Sequence, residues 1–289
     1  MEIAVASGKG GTGKTFVSSN LLYYLDRFVS RSIGVDADAE APDLAIACGG
    51  SKRVVREEAI YESYKARIDS SRCVKCLRCA EVCAFGAVEV EDSLPRIDEV
   101  LCEGCSACAF VCPARCIEIY SVLTGWIRVE ETRLGITVVS ADLEVGARST
   151  GHLVYRCREI ASEVARNLDA KHLVIDVAAG IGCAVVSAIA SVDKLIVVVE
   201  PLPPSIAGAR RLVELARRFG IEPIAIVNKF DLDPSLARRV GDELGVEVAG
   251  YVPFDPLVFE SYARMEPVLH RYPDSPSSRA LREIFSSVV

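Results

Sequence analysis

The strongest constraint on the fold lies at the start of the chain. An apolar run, Glu2–Ala6, leads into Gly8-Lys9-Gly10-Gly11-Thr12-Gly13-Lys14-Thr15, and residues 14–28 follow with helical periodicity. This is G-x4-G-K-[ST] in the setting it needs, between a strand and a helix. The glycines let successive backbone N–H groups turn inward around phosphate oxygens, and the helix N-terminus adds partial positive charge. Lys14 is spaced to reach the β- and γ-phosphates of a nucleotide, and Thr15 to ligate Mg²⁺. Because Met1–Ser7 reads directly as a strand, no signal peptide is expected and a cytoplasmic location is.

Beyond this opening, apolar runs of strand length alternate with helical patterns. Strands are expected at Ser32–Val35, Thr137–Ser140, Leu173–Val177, Lys194–Val199, Pro223–Val227 and Val246–Tyr251, with helices near 150–168, 183–191, 204–219 and 234–244. The predicted class is α/β, a doubly wound and mostly parallel sheet. Leu173–Val192 is apolar enough to span a membrane, but Asp176, Gly180 and Gly182 divide it into strand, loop and helix. The alternation stops after about residue 60 and resumes near 120. The predicted domains are therefore 1–67 with 120–289, interrupted by a small α+β insert at 68–119.

Cysteine usage characterises the insert. Of twelve cysteines in 289 residues, eight lie between Cys73 and Cys112, too few overall for a disulfide scaffold and clustered as metal ligands are. Net charge is −7 with 25% charged and 51% hydrophobic residues, which excludes a disordered chain and gives bulk charge no pull toward nucleic acid or anionic lipid. No nucleic-acid or membrane partner is expected.

An internal repeat with an offset of 29 residues runs through the insert. Ile68-Asp69 precedes Cys73 as Ile97-Asp98 precedes Cys102, and Ala87-Val88-Glu89-Val90 maps onto Cys116-Ile117-Glu118-Ile119. Each copy carries C-x2-C-x2-C-x3-C: Cys73, Cys76, Cys79 and Cys83, then Cys102, Cys105, Cys108 and Cys112. Thiolates are soft ligands suited to iron and zinc. Three closely spaced sulfurs can wrap three corners of one cubane, while the fourth cysteine reaches the cluster of the other half. One [4Fe–4S] cluster is thus assigned to Cys73, Cys76, Cys79 and Cys112, and a second to Cys102, Cys105, Cys108 and Cys83. Zinc would favour separated C-x2-C pairs. The repeat resembles bacterial-type two-cluster ferredoxins, departing from them at Ala84, where proline usually follows the fourth cysteine. Cys116 aligns with Ala87 and, like Cys48 and Cys157, is read as a small hydrophobe.

The additional Lys9 makes the phosphate loop resemble the deviant Walker A motif of the MinD/ParA/Mrp ATPases and the nitrogenase iron protein. Asp36-Ala37-Asp38 with Pro42 and Leu44, Val174-Ile175-Asp176 leading to Gly180, and Asn228 after a late strand are similar to further motifs of that family. The resemblance covers about residues 1–50 and 120–289. It implies that the residues of Gly8–Thr15 bind ATP and that Lys9 reaches the partner's phosphates across an ATP-dependent homodimer. Asp38 would position the attacking water, with Lys9 and Lys14 as the other catalytic groups. Asp36 and Asp176 would hold Mg²⁺ together with Thr15, Gly180 would sense the γ-phosphate through its amide, and Asn228 would contact adenine. Asn228-Lys229-Phe230-Asp231 also satisfies N-K-x-D, in which the Asp231 carboxylate selects guanine, so the base stays open between ATP, the family's habit, and GTP. Cys183 stands seven residues beyond Asp176, where the nitrogenase iron protein has a cluster ligand; burial at a helix start is the competing expectation.

Three functional readings follow. The leading one is an ATPase, slow and partner-stimulated, coupling nucleotide state to electron transfer through two [4Fe–4S] clusters toward an unknown redox or cluster-acceptor protein. The second is an iron–sulfur scaffold or carrier of the Mrp kind, although the C-terminal C-x-x-C of such carriers has no counterpart after Cys183. The third is a spatial organiser like MinD or ParA, whose terminal amphipathic helix would correspond to Arg279–Val289, a segment read here as a packed helix.

Overall fold

The computed structural model describes residues 1–147 and 150–289, which form two compact units. The first contains Met1–Glu58, Trp126–Asp142 and Thr150–Val289. Its strands are β1 (Glu2–Ser7), β2 (Ser32–Ala37), β3 (Ser51–Ile60), β8 (Gly125–Thr132), β9 (Thr137–Leu143), β10 (His172–Ala179), β11 (Lys194–Val199), β12 (Ile224–Asn228) and β13 (Glu247–Val252). Among the described residues they form one sheet in the order β13-β12-β11-β1-β10-β2-β9-β8-β3. The pairings from β13 through β9 are parallel.

β1 lies between β10 and β11, and Ile3, Ala4, Val5 and Ala6 are fully buried. A parallel strand covered on both faces needs such an unbroken apolar run, which is why this strand was plain in the sequence. Helix α1 (Lys14–Phe28) returns across β1, β2 and β10, burying Val17, Leu21, Leu22 and Leu25 along one stripe. Each such leucine contributes about 1.5–3 kcal/mol of transfer free energy. The short helix α2 (Leu44–Ala47) also packs on α1. Farther along come α5 (Thr150–Asn167), α6 (Cys183–Ile189), α7 (Pro203–Arg218), α8 (Pro234–Leu244), α9 (Pro256–Ala263), α10 (Val268–Arg271) and α11 (Pro276–Val288).

The apolar segment Leu173–Val192 divides into β10, a glycine turn and α6, and no helix among the described residues is long and apolar enough to cross a membrane. Helix α11 lays Leu281, Ile284, Phe285 and Val288 into the core, with Phe285 packed on Tyr24 at 5.6 Å between ring centroids. Its apolar face is therefore already covered. β3, β8, α9 and α10 were not expected from the sequence.

The second unit contains Ala59–Gly125 and a stretch beginning at Leu143, wider than the 68–119 cysteine segment. It holds β4 (Ser63–Ile68), α3 (Arg78–Val82), β5 (Val88–Glu91), β6 (Leu94–Ile97), α4 (Ala107–Val111) and β7 (Ile117–Val122). β4 pairs antiparallel with β7 and β5 with β6, so each ribbon joins the start of one repeat copy to the end of the other or bridges the two copies in sequence. Register explains the extra width, because Ser63 lies opposite Val122.

The 29-residue offset is carried into the backbone. Residues 78–82 of α3 map onto 107–111 of α4, and both helices start from a left-handed residue, Leu77 at φ 60° and Ser106 at φ 67°. The Asp69 N–H donates to Cys116 O at 2.8 Å, and its repeat equivalent, the Asp98 N–H, donates to Ala87 O at 2.8 Å.

Candidate functional site

The phosphate loop joins β1 to α1. Gly13 caps α1 at φ 97° without any side-chain cap, so the first helical N–H groups keep the unsatisfied, positively polarised character that suits an anion. The loop is held from beneath by close backbone contact with α7. A Cβ on Gly8 would stand 1.9 Å from the Gly208 carbonyl carbon, and a Cβ on Gly208 would stand 2.6 Å from Gly8 O. Only glycine fits at either position. The role of Gly208 was not foreseen; its sequence signal is a glycine inside a helical pattern, which costs about 1 kcal/mol there without a packing reason.

Lys14, Thr15, Asp36, Asp38 and Asp176 come together at the mouth of the loop. Lys14 Nζ lies 3.6 Å from Asp38 Oδ2. The Thr15 hydroxyl donates to Asp176 Oδ2 at 2.6 Å, and Ser18 Oγ stands 2.6 Å from Asp176 Oδ1. Asp176 and Asp36 face one another across neighbouring strands β10 and β2, both fully buried. Asp36 accepts the N–H groups of Leu44 at 2.8 Å and Asp38 at 3.1 Å. Burial pushes Asp176 up to about 6 against the pull of Lys14, Ser18 and Thr15. Burial and then the Asp176 charge hold Asp36 well above the usual carboxylate range. Asp38 is also raised, burial outweighing the Lys14 charge. Two buried carboxylates beside a hydroxyl form a hard oxygen donor set, and Mg²⁺ commonly takes one or two carboxylates with phosphates and water. The donor chemistry fits that ion.

Three expected contacts are already engaged within the protein. The Gly180 N–H donates to Ser7 O at 3.0 Å, so reaching a phosphate requires breaking that bond. Asn228 is buried, donating from Nδ2 to Thr12 O at 2.8 Å and accepting the Lys229 N–H at 3.0 Å. It braces the loop as well as lining the cleft. Asp231 accepts the Phe254 N–H at 2.8 Å, and Lys229 pairs with Glu200 at 2.6 Å. Lys9 is exposed.

An open cleft extends from Gly13, Lys14 and Thr15 past Asn228 to Phe254, Val258, Phe259 and Tyr262. The Phe254 and Phe259 ring centroids are 5.8 Å apart, and the Tyr262 hydroxyl donates to Asp43 at 2.7 Å. Burial and the adjacent Asp43 push that hydroxyl upward, so it remains a donor. This aromatic wall, suited to a flat base, was missed. Phe254, Phe259 and Tyr262 follow the last strand, where only a cluster of aromatic residues marks them.

In the second unit the eight ferredoxin-pattern cysteines surround two cavities. One is lined by Cys73, Cys76, Cys79, Cys112 and also Cys116. The other is lined by Cys83, Cys102, Cys105 and Cys108. Each thus draws three cysteines from one repeat copy and the fourth from the other. The remaining walls are largely apolar, with Ile68, Leu77 and Ile117 in the first and Ala66, Ala87 and Ile97 in the second. Backbone N–H groups point at sulfur: Lys75 to Cys73 at 3.4 Å, Ala87 to Cys83 at 3.3 Å, Ala66 to Cys102 at 3.4 Å. Every cysteine among the described residues is free. No three His, Cys, Asp or Glu side chains among these residues converge to hold a single metal ion.

Of the other cysteines, Cys48 and Cys157 are buried as small hydrophobes. Cys116 is buried too, but it faces the first cavity. Cys183 opens α6 and is exposed, contrary to the expectation of burial at a helix start.

Residues 3–268 match the CobQ/CobB/MinD/ParA nucleotide binding domain. An uncharacterized protein of Methanocaldococcus jannaschii is 31% identical over 229 residues, 79% of this chain and 78% of that protein. An uncharacterized ATP-binding protein of the same organism is 27% identical over 292 residues, 99% of this chain and 87% of that protein. Among solved structures, the MinD cell division protein of Aquifex aeolicus superposes with a TM-score of 0.61 at 19% identity, covering 99% of this chain and 95% of that one. The glycine loop braced by α7, the buried acid pair at its mouth and the parallel sheet behind them agree with this match, and the chain belongs to the CobQ/CobB/MinD/ParA family of nucleotide-binding domains.

Proposed function

We propose that the protein is an ATP-hydrolysing switch that carries two [4Fe–4S] clusters in its 68–119 insert and couples nucleotide state to electron transfer. The observation that carries the reading is the crossed sorting of cysteines, with Cys112 joining the first copy's three and Cys83 joining the second copy's three. A cubane spreads its thiolates wider than a single ion does, so four sulfurs around the walls of an apolar cavity suit it, and N–H groups aimed at sulfur tune it. When bound, such a cluster supplies one-electron chemistry.

At the other site, the α1 N-terminus and Lys14 would hold the phosphates, with Thr15, Asp36 and Asp176 holding Mg²⁺. Asp38, held beside Lys14, would orient the attacking water. Exposed Lys9 would be supplied to the phosphates of a second copy, stabilising charge in the transition state across an ATP-dependent homodimer. Adenine is favoured over guanine because a relative matching 99% of this chain is an ATP-binding protein. Hydrolysis would be slow until a redox or cluster-accepting protein docks.

The test is to follow ATP hydrolysis and electron transfer together in reduced and oxidised protein. Coupling predicts that nucleotide state changes the transfer rate and that oxidation state changes hydrolysis. Full independence of the two rates under every nucleotide condition would refute it.

A MinD-like organiser is the second reading, favoured by the match of nearly the whole chain to the fold of a MinD cell division protein. The burial of the α11 apolar face leaves that helix without a surface for a bilayer. Liposome pelleting in the presence of ATP separates the two readings, since strong sedimentation favours the organiser.

A further inference from the structure

The two cavities are not equivalent. Repeat symmetry pairs Cys112 with Cys83 and Cys116 with Ala87, and the backbone treats the pairs alike, as the matching Asp69–Cys116 and Asp98–Ala87 bonds show. The side chains break that symmetry. Cys116 is only 5% exposed, lines the first cavity, and places its sulfur 3.5 Å from Cys112 Sγ. Ala87 occupies the equivalent wall of the second cavity and has no donor atom. The first cavity therefore has five thiols and the second has four.

We propose that Cys116 is a reserve ligand for the first cluster, able to take the corner held by Cys112. The inference rests on the reading that the cavities hold [4Fe–4S] clusters. Its chemistry is a ligand exchange without oxidation or reduction. The bond from Cys112 sulfur to its iron breaks, a bond from Cys116 sulfur to the same iron forms, and the proton of the Cys116 thiol passes to the Cys112 thiolate. The short sulfur–sulfur distance lets the exchange proceed by side-chain rotation in place of a backbone rearrangement. The first cluster thereby gains tolerance to loss or modification of its fourth ligand, which the second cluster lacks.

The test reconstitutes the full chain anaerobically with ferrous iron and sulfide, then measures iron and sulfide per chain and records EPR spectra of the reduced and oxidised forms. Cys112→Ala is expected to keep the wild-type iron content and four-iron signals. Cys83→Ala is expected to empty its cavity, losing about half the iron, or to hold a three-iron cluster recognisable by its own EPR signal. Cys112→Ala with Cys116→Ala should fail in the same way at the first cavity. Cys83→Ala with Ala87→Cys should recover the second, a gain of function that misfolding cannot imitate. The inference is overturned if Cys112→Ala fails as Cys83→Ala does, or if removing Cys116 from the Cys112→Ala protein changes nothing. Wild-type protein that takes up no iron and sulfide would instead remove the cluster reading itself.

Discussion

Around the phosphate loop, the groups that fix the geometry differ from those that would touch a ligand. Val17, Leu21, Leu22 and Leu25 anchor α1, and Gly8 lies against Gly208, all behind Lys14 and Thr15. Around the cavities the two roles fall on the same residues. Ala66, Cys79, Ala87, Cys102 and Cys108 form the buried cluster of the second unit, so three cysteines serve as both core and proposed ligands. A site set on a large apolar core keeps its shape without its ligand. A site whose core consists of its donors depends on the bound group for stability, as small metal-binding domains do.

Removal of the proposed iron is expected to break that contrast most severely. Chelation under reducing conditions is expected to abolish hydrogen-exchange protection in β4–β7 while leaving β1, α1 and β10 protected; equal loss in both regions would refute the contrast. Next in size, Leu21→Ala should cost about 2–5 kcal/mol of stability, as cavity formation in a packed core does. Denaturant melts of the variant should show that loss in the first unit with unchanged iron content.

Gly208→Ala is a smaller change with a sharper address. Its new Cβ would press on Gly8 O, 2.6 Å away, and overpacking costs about 1–3 kcal/mol. Nucleotide affinity, read by titration calorimetry, should fall tenfold or more while the EPR signals stay unchanged. Unaltered affinity would show that α7 does not brace the loop.

The smallest expected effect is a pH dependence confined to the acid pair. Asp176 is raised from 3.8 to about 6 in the folded protein, so the native state binds its proton more tightly than the unfolded chain does. Stability contributed by this group therefore declines as pH rises from about 4 to about 6 and levels off above, and Asp36, also raised by burial and by the Asp176 charge, contributes in the same direction. Mg²⁺ with nucleotide, by binding the ionised pair, should flatten the slope. Asp176→Asn should reduce it without Mg²⁺, whereas a melting profile unaffected by that substitution would contradict the assignment.

Legibility in the sequence follows the same division. β1, the glycine loop and α1 were readable because a buried parallel strand and an amphipathic helix each leave a periodic signature, here Ile3–Ala6 and the Val17–Leu25 stripe. The repeat is readable because its cysteines recur at fixed spacing, and the backbone follows the same offset at Leu77 and Ser106. β3 escaped because it is an edge strand, exposed from Ser51 through Glu57 and rich in charge, so no apolar alternation marks it. Asn228 and Asp231 match a base-contact motif, but spacing cannot report which backbone groups a side chain also engages. Gly208 and the Phe254–Tyr262 wall depend on contacts made far along the chain. Cys116 aligns with an alanine in the repeat and so reads as a small hydrophobe; that same misfit distinguishes the first cavity from the second.

Whether one chain joins a nucleotide switch to two cubane clusters is tested most directly by EPR of anaerobically purified, reduced protein. Signals from two [4Fe–4S] clusters are expected, with a line shape or midpoint potential that shifts when ATP and Mg²⁺ are added. A protein that binds ATP and Mg²⁺ fully yet gives no cluster signal, or gives identical spectra and potentials throughout hydrolysis, would contradict this expectation.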